Sequence, residues 1–241
     1  MIYKRMQDYF SRLIGEEGLA GEGVLVRARP LTAEEAIGTP RDGDYPLLKG
    51  KERLMEAQFR TARGQAYADL FGNYEGTLGE IAALELADNF RRAVFISTLN
   101  AVMRYCNLIE GTVHCRDREP EECARALEEY LGGEFGGLER AALVGHQPRL
   151  LEALAGRYRV RAVDLDPENI GRTRSGVVIE PPEDVGELIE WADLLLVTGT
   201  TVVNGTIELF LGLEQPVVFY GVTIAGPAQI LNLHRFCARG H

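Results

Sequence analysis

Small polar residues follow several apolar segments in the second half of the chain. They are Gly145 with His146, Asp164 with Asp166, Thr198 with Gly199, Thr200 and Thr201, and Gly221 with Thr223. Glycine allows a ligand to approach the backbone closely, threonine offers hydroxyl groups, and aspartate accepts hydrogen bonds. If the apolar segments are parallel strands, their carboxyl ends meet at one edge of the sheet, where such proteins bind ligands. We therefore expect these residues to line a single crevice that holds a small molecule.

The two aspartates have two interpretations. They lie about 20 residues after the first of these glycines, where a dinucleotide site places the acid that binds the ribose. Asp166 also precedes Pro167, an arrangement typical of a helix N-cap, so ligand contact and capping both remain open. His146 is either a ligand-binding or acid–base group or a hydrogen-bonded loop residue. The turn from Gly145 to Arg149 lacks the Gly-x-Gly-x-x-Gly pattern. A conventional NAD or FAD site is therefore disfavoured, because the pyrophosphate needs the later glycines.

The segment from Thr198 to Thr206 ends an apolar run and leads towards a predicted helix. Exposed backbone N–H groups and threonine hydroxyls at such a place could hold an anion or a carboxylate. Turn formation with capping by Asn204 or Thr206 explains the same residues. Because there are more small polar residues than a cap requires, we favour ligand contact and include Asn204 among the candidates.

Histidines and cysteines indicate a second kind of chemistry. His114, Cys115 and Cys123 could supply part of a soft-metal site. His234 and Cys237 are expected one turn apart on a final helix. Neither set provides four ligands locally, and Cys123 and Cys237 fit equally well as small buried apolar residues. A transition metal, or a metal that enters within a bound chelate, therefore remains open as a cofactor.

The composition restricts the function classes. The chain has 241 residues and a formal net charge of −10. This charge argues against non-specific nucleic-acid binding, which depends on neutralising phosphates with Lys and Arg. There is no apolar run of about eighteen residues and no apolar signal segment at the amino terminus. We therefore expect a cytoplasmic protein that does not bind membranes, with a homodimer as the default assembly.

Alternating strand and helix patterns begin near Ala141. Apolar strands are predicted at 141–145, 160–166, 177–180, 194–199 and 216–221, with helices at 148–154, 185–192, 207–213 and 228–237. Strands that alternate with helices indicate crossover connections and a parallel sheet. Continuously apolar strands indicate that both faces of the sheet are covered. The predicted fold class is α/β, a Rossmann-like parallel sheet with helices on both faces, preceded by a smaller α+β domain.

The first half of the chain is less regular. Helices are predicted at 2–15, 77–88, 90–106 and 120–131, and a strand is predicted at Gly23–Arg29. Thr77, with Glu80 three residues later, forms a capping-box pattern. Residues 38–51 and 60–76 are rich in glycine and polar residues and are predicted to be loops. The first of these loops contains Lys49 and Lys51, which are either functional or simply solvated.

Several segments together resemble a known prokaryotic family. They are Leu48–Glu52 (LKGKE), Gly64–Tyr67 (GQAY), Gly72–Thr77 (GNYEGT), Ser97–Ala101 (STLNA), His114–Cys123 (HCRDREPEEC), Asp164–Gly171 (DLDPENIG), Thr198–Thr201 (TGTT) and Phe219–Gly226 (FYGVTIAG). The combination is similar to the heavy-metal chelation family. The resemblance implies an enolase amino-terminal-like domain over residues 1–110, or as far as 137, and a Rossmann-like domain over residues 111–241. It also implies a pocket between the domains, with Asn100 and Asn169 as further polar groups at the ligand.

The residues and the resemblance leave three functions open. The first is an enzyme for condensation or hydrolysis of a pterin-, flavin- or siderophore-like metabolite that chelates metal. The second is a non-enzymatic protein that binds a heavy metal or its chelate. The third is a methyltransferase-like protein that uses S-adenosylmethionine. No residue is predicted to be catalytic, because the sequence shows no recognisable nucleophile with an adjacent base. All three functions share a small-molecule ligand in the crevice.

Overall fold

A computed structural model describes residues 1–24 and 53–241. The predicted loop 38–51, with Lys49 and Lys51, lies outside the described residues, and so does the segment Leu48–Glu52. Of the predicted strand Gly23–Arg29, only Gly23 and Val24 are described, and they pair antiparallel with Thr77 and Gly76.

The described residues form short strands and helices in alternation. The strands are β1 (Gly23–Val24), β2 (Arg53–Phe59), β3 (Ala62–Ala68), β4 (Gly76–Thr77), β5 (Arg140–Val144), β6 (Arg159–Val163), β7 (Thr173–Arg174), β8 (Val177–Glu180), β9 (Leu194–Thr198), β10 (Val217–Tyr220) and β11 (His234–Phe236). The α-helices are α1 (Ile2–Glu16), α2 (Leu78–Ala82), α3 (Asn89–Tyr105), α4 (Glu119–Glu134), α5 (Pro148–Ala155), α6 (Val185–Trp191), α7 (Thr201–Asn204) and α8 (Ala225–Leu231). Short 3-10 helices lie at Pro182–Asp184 and Ile207–Phe210. Within this described part of the chain, no helix combines the length and apolar character that crossing a membrane requires.

Seven strands form the main sheet, in the order β11-β10-β9-β5-β6-β8-β7. Every neighbouring pair is parallel except β7 with β8, which is antiparallel and forms one edge. When the six parallel strands are numbered along the chain from β5, their spatial order is 3-2-1-4-5-6. This is the order of dinucleotide-binding Rossmann folds. The strand order reverses between β5 and β9, so the connections after these two strands lead in opposite directions.

The main sheet is covered on both faces. In β5, Ala141 and Leu143 belong to a core completed by α4 and α5. Ala142 and Val144 belong to a second core that includes α3 and α8. Successive side chains of a strand point to opposite faces, so a strand buried on both sides must be apolar at every position. The predicted Rossmann-like α/β fold with helices on both faces is confirmed.

The amino-terminal part packs an antiparallel hairpin, β2 with β3, against α3. Helix α3 is buried around its whole circumference from Ala93 to Met103, as expected for a helix enclosed by other elements. A Cβ on Gly64 of β3 would lie 2.2 Å from the backbone nitrogen of Ala101. The hairpin therefore contacts the backbone of α3 directly, and only glycine permits this approach.

The predicted loop at 60–76 is wrong over its first half, because β3 occupies Ala62–Ala68. Gly64 and Gln65 resemble turn residues in the sequence but have packing roles in the structure. Gly64 allows the close contact with α3, and Gln65 is buried with its Nε2 donating a 2.7 Å hydrogen bond to Glu56. These roles depend on elements that are distant in the chain, so local composition predicts them poorly.

The predicted final helix at 228–237 is also wrong. Helix α8 ends at Leu231, and Asn232 takes a left-handed conformation with φ of 58°. The chain then enters β11, which pairs with β10, so His234 and Cys237 do not share a helix. The helices predicted at 77–88 and 207–213 are shorter than expected, since α2 spans Leu78–Ala82 and a 3-10 helix spans Ile207–Phe210. The capping box of Thr77 and Glu80 is confirmed.

One hydrophobic core connects the two predicted domains. It contains Phe10 and Phe95 from the amino-terminal part together with Val144, Val197 and Phe219 from the main sheet. Because these side chains pack in a single cluster, the amino-terminal elements are held directly against one face of the sheet. The division at residue 110 stays a prediction.

Candidate functional site

A cavity of about 490 Å³ lies at the carboxyl ends of the parallel strands. Its walls include the loops after β5, β6, β9 and β10, and β5 and β9 flank the reversal of strand order. Every predicted ligand-binding residue except Asn100 lines it, namely Gly145, His146, Asp164, Asp166, Asn169, Thr198, Gly199, Thr200, Thr201, Asn204, Gly221 and Thr223. The loops therefore meet around one hollow.

Gly145 begins the loop after β5 and has a left-handed backbone with φ of 87°. A Cβ at this position would lie 2.7 Å from Thr198 Cγ2 and 2.9 Å from Thr198 Cβ. The Gly145 carbonyl oxygen accepts a 2.7 Å hydrogen bond from the hydroxyl of Tyr220. Glycine is therefore required both by the conformation and by the close approach of the neighbouring strand ends.

Asp164 joins the loops after β5 and β6. Its Oδ2 accepts a hydrogen bond from the backbone N–H of His146, and its Oδ1 accepts one of 2.7 Å from the backbone N–H of Asp166. Asn169 Nδ2 lies 3.4 Å from the same Oδ1. The acid at the ribose-binding position therefore holds the cavity wall together. Asp166 Oδ1 accepts a 3.0 Å hydrogen bond from the backbone N–H of Glu168. This bond lies in a turn, and the structure describes no helix between β6 and β7, so Asp166 is not a helix N-cap.

The threonines after β9 form a local network. The hydroxyls of Thr198 and Thr200 are 3.0 Å apart, and Thr201 Oγ1 donates to the carbonyl oxygen of Thr198 at 2.8 Å. Asn204 Oδ1 accepts hydrogen bonds from the N–H and hydroxyl of Thr206 at 3.0 and 2.7 Å. Turn formation thus accounts for Thr201 and Asn204. The paired hydroxyls of Thr198 and Thr200 retain hydrogen-bonding capacity at the cavity, because each hydroxyl can both donate and accept.

Asn100 does not border the cavity, contrary to the expectation from the sequence. Its side chain is fully buried in α3. Nδ2 donates to the carbonyl oxygens of Gln65, Val222 and Thr223 at 3.1 to 3.2 Å, and Oδ1 accepts from the Gly226 N–H at 2.7 Å. The amide therefore ties α3 to the hairpin and to the loop after β10. It positions the cavity wall and does not contact the hollow.

The amino-terminal part supplies one wall of the cavity through Tyr67, Ala68 and Asp69 at the end of β3. The backbone N–H of Tyr67 donates a 3.1 Å hydrogen bond to Thr223 Oγ1. These residues are not among the predicted ligand-binding residues, because residues 60–76 are predicted to be a loop. The one available signal was the segment Gly64–Tyr67, which is part of the family resemblance.

Within residues 1–24 and 53–241, no Lys or Arg side chain borders the cavity. Its charged residues are the acids Asp69, Asp164 and Asp166. Apolar side chains form much of the remaining wall, among them Val144, Leu150, Val163, Leu165, Val185, Val203, Phe210, Val222 and Phe236. A charge inside such a wall interacts more strongly than in water.

His114, Cys115, Cys123 and Cys237 also border the cavity. His114 Nδ1 lies 2.6 Å from the carbonyl oxygen of Cys115, and its ring contacts the ring of Tyr67 edge-to-face at 5.6 Å between centroids. Burial lowers the pKa of His114 to about 4, so the imidazole is neutral at physiological pH. Burial also raises the pKa values of the Cys115 and Cys123 thiols.

These residues do not fit a bare metal ion. A metal binds the thiolate, and in the metal-free protein the raised pKa values keep Cys115 and Cys123 protonated, so binding would have to displace both protons. No group of three or more His, Cys, Asp or Glu side chains is arranged to hold a metal in the part of the chain that the structure describes. The predicted metal candidates His114, Cys115 and Cys123 therefore share a wall of the cavity without forming a coordination set.

Residues 135–234 match the sequence model of the family DUF364, described as "Putative heavy-metal chelation". This part of the chain is therefore similar to the DUF364 family. This confirms the resemblance seen in the sequence. The matched residues run from the end of α4 to the start of β11, so they comprise most of the main sheet and most of the cavity loops.

Two solved structures of DUF364 proteins of unknown function are similar to the whole chain. One, from Pyrococcus horikoshii, aligns with a TM-score of 0.58 and 14% identity, covering 92% of this chain and 80% of that one. The other, from Desulfitobacterium hafniense DCB-2, aligns with a TM-score of 0.51 and 13% identity, covering 89% and 76%. Among curated proteins, none matches this chain. At these identities the likeness concerns the fold, and it extends well beyond residues 135–234.

Proposed function

We propose that this protein binds a small organic molecule, neutral or positively charged, in the cavity at the ends of β5, β6, β9 and β10. The observation that carries the proposal is the composition of the described wall. It combines glycines, threonine hydroxyls and three acids with a large apolar surface, and it contains no Lys or Arg. A cavity of about 490 Å³ is within the usual size range of small-molecule sites.

An anionic ligand meets two obstacles in this wall. A phosphate that leaves water needs cations or free N–H donors to replace its hydration, and the charged side chains nearby are acids. Helix α5, which follows the loop after β5, begins with Pro148, which has no N–H to offer, and the Gln147 side chain already accepts the N–H of Leu150. Together with the missing glycine pattern, these features argue against a dinucleotide despite the Rossmann strand order.

The favoured ligands are flat heterocycles with polar edges. The apolar side chains suit the faces of such a ring, while the threonine hydroxyls and acids suit its edge. Flavins without a phosphate, pterins and adenosine compounds belong to this class, and so does S-adenosylmethionine, whose sulfonium group is cationic. Condensation or hydrolysis of such a metabolite is the enzymatic form of the proposal. It assigns no catalytic residue.

Two pairs of compounds that differ only by a phosphate test the proposal. Riboflavin is compared with flavin mononucleotide, and adenosine with adenosine 5′-monophosphate, by thermal unfolding of the full chain. S-adenosylmethionine is tested in the same series. A ligand at a hundred times its dissociation constant stabilises a protein by about 2.7 kcal/mol, which is readily measured. We expect the unphosphorylated member of at least one pair to raise the Tm and its phosphorylated partner to have no effect.

Thr200→Val and Thr173→Val serve as matched variants. Both remove one hydroxyl, but Thr200 lines the cavity whereas Thr173 is exposed on the edge strand β7. We expect Thr200→Val to reduce the ligand-induced shift and Thr173→Val to leave it unchanged. Equal or greater stabilisation by the phosphorylated compounds would contradict the charge preference. An absence of any shift across the series would contradict the proposed ligand class.

A second candidate function is the binding of a metal that is already held in an organic chelate. It is favoured by the presence of His114 and three cysteines in the wall of the same cavity, where they can contact such a complex without holding a bare ion. The metal would then be cargo. Thermal unfolding with iron-loaded and iron-free forms of one hydroxamate siderophore tests this function. If the protein binds the metal complex, only the iron-loaded siderophore should raise the Tm. Equal increases in Tm with the loaded and the iron-free forms would exclude this function.

A further inference from the structure

His114 has one ring nitrogen engaged by the fold and the other available at the cavity. A carbonyl oxygen can only accept, so the 2.6 Å contact with Cys115 requires that Nδ1 carries the proton and donates it. Nε2 of the neutral ring then has a lone pair and no proton. Within the described residues, Nε2 has no hydrogen-bond partner, yet it is not among the enclosed polar atoms, so it keeps accessible surface. His114 is one of the residues that line the cavity, and we infer that this accessible surface lies at the hollow.

The surroundings of His114 keep the ring in this state. The ring packs edge-to-face on Tyr67 of β3, and Glu119 at the start of α4 is the charge that acts to raise its pKa. The Glu119 carboxylate is already used, because Oε2 accepts from the backbone N–H of Arg116 at 2.7 Å and contacts His241 Nε2 at 3.0 Å. Burial outweighs the attraction of this charge, so the ring stays neutral and its orientation is fixed by two contacts.

Several acceptors of the cavity wall are already used by the fold. The carboxylate of Asp164 accepts two backbone N–H groups, and Asn204 Oδ1 accepts from Thr206. Nε2 of His114 differs from these acceptors, because the fold fixes the direction of the ring but no described residue donates a hydrogen bond to this nitrogen. An unfilled acceptor of fixed direction is the type of group that gives a largely apolar site its specificity.

We propose that His114 contacts the ligand and determines its chemistry, with Nε2 accepting a hydrogen bond from an N–H or O–H group of the bound molecule. This inference rests on the proposed function, because it takes the cavity to be a ligand site. It adds a requirement to that function. The molecule must direct a hydrogen-bond donor, such as a ring N–H of a flavin or pterin, towards the wall formed by β3 and residues 114–123.

Phenol and anisole test the proposal without knowledge of the natural ligand, since they differ by a single donor. The readout is the nitrogen NMR spectrum of the imidazole side chains of the full chain. The sequence has four histidines, and His146→Gln, His234→Gln and His241→Gln assign the His114 signals by elimination. We expect the unliganded protein to show the Nδ1–H tautomer at His114. Phenol should move the Nε2 signal in a saturable way, and anisole should not.

Two variants of His114 separate the hydrogen bond from packing. His114→Gln keeps an acceptor, whereas His114→Phe keeps the ring against Tyr67 and removes the acceptor. We expect wild type to bind phenol roughly tenfold more tightly than anisole, and His114→Phe to lose this preference. A protonated Nε2, a phenol titration that leaves the Nε2 signal unmoved, or an unchanged preference in His114→Phe would overturn the proposal.

The two proposals fail in different ways. If phenol hydrogen bonds to His114 while the flavin and adenosine compounds have no effect, the ligand class is wrong and the role of His114 stands. If an unphosphorylated compound binds but neither it nor phenol shifts the His114 NMR signals, the proposed function stands and the proposed role of His114 is wrong.

Discussion

The carboxylate of Asp164 accepts a hydrogen bond from the backbone N–H of His146, which joins the ends of two adjacent parallel strands. The same carboxylate also accepts the N–H of Asp166. An acid in this position of a Rossmann-like sheet is usually interpreted as a ribose ligand. Here each of its two oxygens accepts a backbone N–H group, so the carboxylate shapes the loops that surround the cavity.

Replacing Asp164 should therefore destabilise the protein even without a ligand. Asp164→Ala removes the acceptor for two backbone N–H groups, and each one left unsatisfied costs about 1 to 3 kcal/mol when it is shielded from water. We expect a loss of about 2 to 4 kcal/mol in the free energy of unfolding, measured by urea denaturation. Asp166→Ala is the control, because Asp166 accepts only the N–H of Glu168 and should cost about 1 kcal/mol. Equal losses in the two variants would contradict the joining role of Asp164.

Alanine substitutions at Gly145 and Gly171 distinguish the cost of a steric contact from the cost of backbone strain. Both have a left-handed backbone, with φ of 87° and 75°. A Cβ on Gly145 would meet Thr198, whereas a Cβ on Gly171 has no atom within 4 Å. Gly171→Ala should cost about 1 to 2 kcal/mol of stability, the usual penalty for this conformation.

Gly145→Ala should cost clearly more than that, because rotation of the Thr198 side chain moves Cγ2 away but leaves Cβ only 2.9 Å distant. Chemical denaturation of the wild type and both variants measures the loss in free energy of unfolding that each substitution causes. Similar costs would show that the ends of β5 and β9 can separate without penalty.

Asn100 and Thr98 lie two residues apart in α3, and we expect opposite effects from them. Asn100→Ala removes the Asn100 hydrogen bonds to three carbonyl oxygens and to the Gly226 N–H, and of the three carbonyls that of Val222 keeps the N–H of Ala225, so we expect a loss of about 3 kcal/mol. Thr98 Oγ1 is buried and has no hydrogen-bond partner within the described residues. Thr98→Val removes this hydroxyl at constant shape and should raise stability by about 1 kcal/mol. A destabilised Thr98→Val would reveal a partner for that hydroxyl.

The neutral state of His114 should make stability depend on pH. Its pKa falls from 6.5 to about 4 on folding, so the unfolded chain binds more protons between these values. The stabilisation is complete above pH 6.5 and is lost as the pH falls towards 4. From pH 7.5 to pH 5 the wild type should lose about 2 kcal/mol through this residue.

His114→Gln removes the titrating group. Between pH 7.5 and pH 5, its free energy of unfolding should therefore fall by about 2 kcal/mol less than that of the wild type. His234→Gln, on the exposed start of β11, is the control and should behave like the wild type. Denaturant unfolding at pH 7.5 and at pH 5 measures the free energy of unfolding of each protein. An identical pH dependence in wild type and His114→Gln would contradict a buried neutral imidazole.

The sequence predicted the Rossmann-like sheet because its strands are apolar at every position, and that pattern arises only when both faces are covered. It also predicted that the residues after four strands meet, since parallel strands place their carboxyl ends at one edge. The hairpin β2–β3 and the strand β11 were not predicted. Gly64 resembles a turn residue until α3 is present beside it, and β11 is a three-residue strand whose partner is β10.

By itself the sequence determined which loops surround the hollow, because hydrophobic periodicity and strand order act over whole elements. The tertiary structure decided what each side chain does there. Asn100 links α3 to two other segments, and Asp164 joins two loops. His114 lies in the cavity wall with one ring nitrogen that has no hydrogen-bond partner among the described residues. The physical reason is that a side chain's role depends on which partners lie within about 3 Å. Those partners come from segments as far apart in the chain as Asn100 and Gly226.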